Sequence, residues 1–159
     1  MRNTRKEDWG FVVPATFVWV SSLAVTVWEF MILQGIKFYV TMVTMVGLFL
    51  FLSGVVIAWK AKMTLGENYF RTLRIRENHQ LIKQGIYKRI RHPIYLGAIM
   101  YTMGIPLFLS SLYGSIIMLG LIPCTIYRIK LEERMLIEKF GDEYREYISK
   151  TKKLIPFVY

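Results

Sequence analysis

The sequence predicts an all-α integral membrane protein with four transmembrane helices, the last two forming a tight helical hairpin, and a C-terminal amphipathic helix at the cytoplasmic face. Hydrophobic residues make up 54% of the 159 positions, which is high for a soluble domain of this length. Long stretches of the chain carry no charge, and the lysines and arginines gather between them. One cysteine and two histidines exclude a disulfide scaffold and a structural zinc site built from these residues.

Two of the uncharged stretches each predict a single transmembrane helix. The stretches 11–28 and 38–59 contain no Asp, Glu, Lys or Arg over 18 and 22 residues. A helix that crosses the bilayer needs about 20 apolar residues. We therefore expect spans at 11–33 and 37–59, the first continuing past Glu29.

The third uncharged stretch, 93–127, predicts two helices rather than one. Its 35 residues are too many for a single span. The sequence Ser-Ser-Leu-Tyr-Gly at 110–114 interrupts it, and Pro106 and Pro123 lie on either side of this interruption. The prediction is a helical hairpin with spans at 93–109 and 113–128.

The positive charges predict the orientation of these spans. In a four-helix topology, 20 of the 21 lysines and arginines lie on one side, and only Lys37 lies on the other. The positive-inside rule makes that side cytoplasmic and places both termini there. We expect one polytopic domain, 1–159, with its functional chemistry in the cytoplasmic segments 60–92 and 128–159. Small size and the lack of a C-terminal retrieval signal favour a prokaryotic plasma membrane over the endoplasmic reticulum.

The hairpin would bring two polar clusters together at the cytoplasmic surface. Counted from the turn, the residue at the depth of His92 is Arg128. Pro93 suits the first turn of a helix, where no N–H is needed, and this leaves His92 at the N-cap. Arg128 and Glu132 are four residues apart and share a helix face, whereas Glu133 is expected to point elsewhere. Imidazole, guanidinium and carboxylate groups would thus form a candidate site.

Further expectations concern features outside that cluster. Glu29 should lie near the outer end of its span, where its carboxylate can reach the surface and meet Lys37. Gly97 and Gly104 would let a neighbouring helix approach closely. The segment 71–83 is either a small hairpin or a loop. An apolar stripe after the last span predicts an amphipathic helix lying along the bilayer surface: Leu131, Met135, Leu136, Phe140, Tyr144 and Ile148.

Several short motifs in the second half of the chain occur together in one family of membrane enzymes. They are Gln84-Gly85-Ile86-Tyr87, Arg91-His92-Pro93-Ile94-Tyr95-Leu96-Gly97, Glu132-Glu133-Arg134, Phe140-Gly141-Asp142-Glu143-Tyr144 and Ile155-Pro156. In this order and spacing they resemble the isoprenylcysteine carboxyl methyltransferase family. The specific part is the RHPxYxG run followed, after a hydrophobic hairpin of about forty residues, by FGxEYxxY. Ile86 departs from the pattern, because many relatives have proline there.

The resemblance implies an enzyme that transfers a methyl group from S-adenosylmethionine, held at the cytoplasmic face, to a lipophilic acceptor arriving from the bilayer. The matching positions assign cofactor binding to His92, Tyr95 and Glu132. Arg128 would be the catalytic residue and hold either the cofactor or an acceptor carboxylate. Three further residues would line the adenosine pocket: Leu81, Gly85 and Tyr87.

The resemblance implies no metal, and the acceptor stays open between a prenylated cysteine, a phospholipid amine and another lipophilic small molecule. The chain lacks a GxGxxG run after a strand, which excludes a Rossmann-type cofactor pocket. Methyl transfer from a sulfonium mainly requires aligned reactants and the exclusion of water, so no covalent catalyst is needed. The net charge of +10 is explained by orientation, and no nucleic-acid-reading motif accompanies it.

Two other functions stay open at this point. Membrane sterol reductases look similar in this half of the chain, but they use NADPH to reduce a double bond. They usually have Asn after the RHP run and an acidic residue after the following glycine, where this chain has Ile94 and Ala98. The other possibility is a membrane interaction protein without catalytic activity.

Overall fold

The computed structural model describes residues 4–33, 38–66 and 81–155 of the chain. Its six α-helices follow in chain order: α1 (Thr4–Trp28), α2 (Met42–Leu65), α3 (Pro93–Phe108), α4 (Leu112–Met118), α5 (Leu121–Phe140) and α6 (Asp142–Lys150). A π-helical stretch, Glu29–Leu33, continues α1, and a 3₁₀ turn, Gly85–Lys88, precedes α3. Residues 71–80 of the segment expected to be a hairpin or loop lie outside the described residues.

Apolar helices occupy the places predicted for the spans. Among the described residues, three helical segments are long and apolar enough to cross a bilayer: Trp9–Ile32, Met42–Leu65 and Leu112–Phe140, the last of which comprises α4 and α5. The other apolar helix, α3, has 16 residues, fewer than the roughly 20 that a perpendicular span needs. The all-helical, multi-pass membrane class is confirmed, whereas the number of four spans remains a prediction.

The last apolar segment is interrupted where a single helix was expected. Helix α4 ends at Met118 and α5 begins at Leu121. Pro123 has no N–H to donate to the carbonyl of Leu119, which it would otherwise bond in a continuous helix. Ile122 donates to that carbonyl instead, at 3.0 Å, and this closes a tighter turn between the two helices.

A tight turn is present at the predicted interruption, but it is confined to residues 109–111, because 112–114 already belong to α4. Helix α3 ends at Phe108, and Ser110 takes a positive φ of 53°, which is uncommon for a residue other than glycine. The side chain of Ser111 then accepts a hydrogen bond from the N–H of Gly114 and caps α4. The chain therefore reverses direction here within a few residues.

Helix α3 packs mainly against α2, and not against the last span as a simple hairpin would require. The two helices are antiparallel and meet at Gly47 and Gly54 of α2 and at Gly97 and Gly104 of α3. A Cβ on Gly97 would lie 2.6 Å from the carbonyl oxygen of Gly54, so the backbones touch. Lipid provides no hydrophobic drive between helices, and this close van der Waals fit is therefore what holds α2 to α3. The predicted close approach at the two α3 glycines is confirmed, with α2 as the neighbour.

Glu29 is buried, which corrects the expectation that it reaches the surface. It is 5% exposed, and its carboxylate accepts hydrogen bonds from the Ser111 hydroxyl and, at 3.2 Å, from the Gly114 N–H. Its expected partner, Lys37, lies outside the described residues. The N-terminus of α4 offers free N–H groups at the depth of Glu29, and these supply the hydrogen bonds that a buried carboxylate needs. Glu29 thereby fastens α1 to α4.

We predict that Gly104→Val lowers the melting temperature of the detergent-solubilised protein. A Cβ at this position would lie 2.6 Å from the backbone nitrogen of Phe51, which cannot move aside without shifting α2. Overpacking of this kind costs about 1–3 kcal/mol of the free energy of unfolding. Circular dichroism during heating measures the change. Gly10→Ala is the control, since a Cβ there meets only Tyr127, at 3.6 Å, and equal melting of both variants would contradict the packing.

Candidate active site

The candidate site begins at the N-terminus of α3. His92 is the N-cap residue, as predicted, and Pro93 occupies the first helical position, where no N–H is required. The His92 side chain makes no capping hydrogen bond, although the residue is only 4% exposed. The imidazole is therefore buried in the protein without capping its own helix.

Tyr95 links α3 to α5. Its hydroxyl donates to Glu132 Oε2 at 2.7 Å and accepts from Arg128 Nε at 3.3 Å. The rings of Tyr95 and His92 lie 5.8 Å apart between their centroids. Arg128 is 4% exposed, so this charge is removed from water. The four residues that were predicted to meet at the cytoplasmic end of the helices do meet, and their roles remain predictions.

Glu133 faces the start of α3, which corrects the expectation that it points elsewhere. Its Oε1 accepts from Arg91 Nε at 2.9 Å and lies 3.5 Å from His92 Nε2, and its Oε2 is 3.3 Å from Lys153 Nζ. Adjacent residues of a helix differ by about 100° in direction. Both Glu132 and Glu133 nevertheless contact residues outside α5. The chain before α3 and the chain after α6 both pack against this side of α5. The two motifs that contain Arg91 and Glu133 were the only signal in the sequence for this pair.

The chain after α6 returns to the start of α3 and pairs with it through the main chain. Arg91 N–H donates to the carbonyl of Lys152 at 2.8 Å, and His92 N–H donates to that of Lys153 at 3.0 Å. Lys152 N–H donates in turn to the carbonyl of Arg89 at 3.0 Å. The backbone that carries His92 is thus held by a segment about 60 residues away in sequence.

Helix α6 covers the site with two buried tyrosines. The predicted apolar stripe is divided between α5 and α6, because Gly141 takes a positive φ of 54° between them. The Tyr147 hydroxyl donates to the carbonyl of Tyr87 at 2.7 Å, and burial raises the pKa of Tyr147 to about 12. Burial, together with the negative charge of Glu133, also raises the pKa of Tyr144 well above its usual range. Both phenols therefore keep their protons at physiological pH.

The residues expected to line an adenosine pocket lie just before α3. Tyr87 is buried, and its carbonyl is tied to α6 through Tyr147. Gly85 has a φ of 60°, and a Cβ there would meet the Thr64 side chain of α2 at 3.2 Å. Leu81 is partly buried at the beginning of this described segment. The contacts thus connect Tyr87 to the site and Gly85 to the end of α2.

Arg128 has a partner that the sequence analysis did not anticipate. Its Cζ lies 5.3 Å from the centre of the Phe11 ring, which belongs to α1. A guanidinium over an aromatic ring is a favourable contact, and this one brings the N-terminal helix to the site. No motif or spacing could have indicated it, because Phe11 is one of ten phenylalanines in the chain.

Known proteins are similar to this chain over the segments that contain the motifs described above. The model of the Isoprenylcysteine carboxyl methyltransferase (ICMT) family matches residues 45–138, more than half of the chain. A probable protein-S-isoprenylcysteine O-methyltransferase of Oryza sativa subsp. indica is 34% identical over 119 residues, which cover 73% of this chain and 62% of that protein. Methanethiol S-methyltransferase 1 of Bradyrhizobium diazoefficiens is 41% identical over 73 residues, which cover 45% of this chain and 25% of that protein.

A solved structure has a similar fold. It is that of the eukaryotic intramembrane Ras methyltransferase ICMT, with a TM-score of 0.78 and 27% sequence identity. The match covers 90% of this chain and 52% of the other. The chain thus spans less than two thirds of the length of these relatives. The family model, the related sequences and the shared fold agree, and the chain belongs to the isoprenylcysteine carboxyl methyltransferase family.

Proposed function

We propose that this protein is an integral membrane methyltransferase that uses S-adenosylmethionine and acts on a lipophilic acceptor. The observation that carries the proposal is the hydrogen-bonded cluster of half-buried Tyr95 and Glu132 with buried Arg128, beside buried His92. Such a concentration of polar groups at the end of apolar helices is costly unless the groups pair with each other or with a ligand. Membership of the family supports methyl transfer as the reaction.

The donor suits the groups in this cluster. Its methionine part is a zwitterion, so it needs an anion for the ammonium group and a cation for the carboxylate. Glu132 offers the anion, and Arg128, which is bonded to the Tyr95 hydroxyl, offers the cation. Among the described residues, His92 Nε2 is buried without a hydrogen bond, and Glu133 Oε1 lies 3.5 Å away from it. A buried polar atom in this state fits a site that a polar ligand completes.

The residues of the chain would act by orientation and by excluding water. When bound, S-adenosylmethionine supplies an electrophilic methyl group on a sulfonium. Tyr95, which bonds both Arg128 and Glu132, keeps these two charges at a fixed separation. The burial of Arg128 and His92 limits the access of water to the reacting atoms. A carboxylate acceptor is ionised at neutral pH, so it needs no general base.

We further propose that the acceptor is the carboxylate of a prenylated cysteine. The buried guanidinium of Arg128 offers a cation for such a carboxylate, and the ring of Phe11 offers an apolar neighbour. The relative from rice is named for an isoprenylcysteine, which supports this class. A thiol acceptor, as in the name of the Bradyrhizobium relative, has no carboxylate for the guanidinium to bind.

The same proposal includes an arrangement in the membrane. We place four spans in one domain, 1–159, with both termini in the cytoplasm of a prokaryotic cell and α6 along the bilayer surface. The distribution of positive charge supports this orientation, because 20 of the 21 lysines and arginines then face the cytoplasm. The antiparallel course of α2 and α3 supports it as well. The donor would then be bound from the cytoplasm and the acceptor from the bilayer.

We expect Glu132→Gln to weaken the binding of S-adenosylhomocysteine by about tenfold or more, because a charged partner of the donor's ammonium group is lost. Isothermal titration of the detergent-solubilised protein measures this. Glu138→Gln makes the same change at an exposed position of α5 and should bind as the wild type does. Undiminished binding by Glu132→Gln would remove Glu132 from the donor site.

S-adenosylhomocysteine should raise the melting temperature of the wild-type protein, whereas NADPH should not. A ligand at about 100 times its Kd adds about 2.7 kcal/mol to the stability of the folded state. Differential scanning fluorimetry with each ligand measures the shift. Stabilisation by NADPH alone would favour the sterol reductase function, and no shift with either ligand would favour a non-catalytic protein.

Arg128→Ala should reduce methylation of a farnesylated N-acetylcysteine by about 10- to 100-fold, the cost of losing a hydrogen bond between charged groups. Transfer of a labelled methyl group to this probe gives the rate. Arg134→Ala, at an exposed position of the same helix, serves as the control. Equal rates for Arg128→Ala and the wild type would rule out a role for this guanidinium in the reaction.

A further inference from the structure

We infer that the ion pair between Arg91 and Glu133 is a positioning device. It holds His92 and the segment 151–154 in the arrangement that binds the methyl donor. Neither member of the pair has to touch a ligand for this role. The inference rests on the proposed function, since it concerns the geometry of the same donor site.

Glu133 is a single buried carboxylate whose neighbours come from two distant parts of the chain. Arg91 and His92 come from the start of α3, and Lys153 comes from the segment after α6. Glu133 itself is 8% exposed, so the cations Arg91 and Lys153, and not water, balance its charge. Loss of one partner of such a pair leaves the other charge buried and uncompensated, which disturbs the structure around it.

Arg91 connects Glu133 to the end of α6. While its Nε donates to the carboxylate, its Nη1 donates to the carbonyls of Ile148, at 3.2 Å, and Thr151. The same nitrogen lies 3.3 Å from the Thr151 hydroxyl, which donates in turn to the carbonyl of Tyr147. Only a planar guanidinium with several N–H donors can bond α5 and the end of α6 at the same time.

The consequence for the site is that His92 is fixed from both sides. Its backbone N–H is bonded to Lys153, and the neighbouring Arg91 N–H is bonded to Lys152. Its imidazole Nε2 lies 3.5 Å from the oxygen of Glu133 that Arg91 also contacts. If the pair is broken, neither the backbone nor the ring of His92 is held in its present position. A displacement of about 1 Å in a binding group is enough to change affinity and rate strongly.

A purely structural pair would have a different signature. It would change the melting temperature, but it would leave donor affinity intact in protein that is still folded at the assay temperature. A positioning pair changes donor affinity in folded protein. It also raises the KM for the donor while the KM for the acceptor stays near the wild-type value, because the acceptor does not rely on His92.

The test compares Glu133→Gln and Arg91→Lys with Glu143→Gln as the matched control. Glu143 pairs with Lys83 at 2.8 Å on the same side of the protein, but both side chains are substantially exposed. For each variant, isothermal titration gives the Kd for S-adenosylhomocysteine. Hydrogen–deuterium exchange gives the protection of the peptide that contains residues 89–95. All measurements are made well below the melting temperature of the variant.

We expect Glu133→Gln to raise the Kd by about tenfold and Arg91→Lys by a smaller factor, with faster exchange at 91–92 in both. Glu143→Gln should change neither quantity. If the folded variants Glu133→Gln and Arg91→Lys bind S-adenosylhomocysteine with the wild-type Kd, the inference is overturned and the proposed function stands. Failure of the wild type to bind S-adenosylhomocysteine would overturn both. If Glu133→Gln does not fold, Arg91→Lys alone tests the pair, and an unchanged Kd there would overturn the inference.

Discussion

Two adjacent carboxylates, Glu132 and Glu133 of α5, determine how the end of the protein that contains the candidate site is assembled. A carboxylate removed from water must be paired or hydrogen-bonded, and here neither partner comes from the same helix. Glu132 is bonded by Tyr95 of α3, and Glu133 by Arg91 just before it. Since the two carboxylates face different directions, they attach α3 and the chain that leads into it at the same time. The candidate site is formed by the residues that make these attachments and by their neighbours His92 and Arg128.

The membrane-embedded part of the fold depends on a different kind of contact. Helices α2 and α3 are held by repeated backbone contact at glycines, because apolar side chains gain nothing by leaving lipid for one another. At the opposite end of the protein, the carboxylate of Glu29 bonds the N-terminus of α4. Close packing thus acts along the helices, and buried carboxylates act at both ends. This division explains how a chain with few charged residues in its spans still has a defined arrangement.

The candidate site draws on more of the chain than the region that defines the family. The family model ends at residue 138, whereas Tyr147, Lys152 and Lys153, which hold the start of α3, lie beyond it. Phe11, the neighbour of Arg128, lies before it. The residues with the expected chemistry lie inside the matched region, and those that hold them in place come partly from outside it. Sequence similarity alone therefore identifies the residues with the expected chemistry better than it identifies the residues that hold them in place.

The sequence alone was sufficient for the features that depend on local properties of the chain. Uncharged stretches located the apolar helices, the Ser-Ser-Leu-Tyr-Gly segment located the turn, and helix periodicity put Arg128 and Glu132 on one face. The motifs around His92 and Glu132 identified the family. Only the tertiary structure decided that α3 packs on α2, that Glu29 is buried and that Glu133 faces inward. Periodicity gives the direction of a side chain relative to its own helix, whereas its partner depends on which helix faces meet and on where distant segments return. That is why the second carboxylate and the segment that helps to hold it could not be placed before the structure was known.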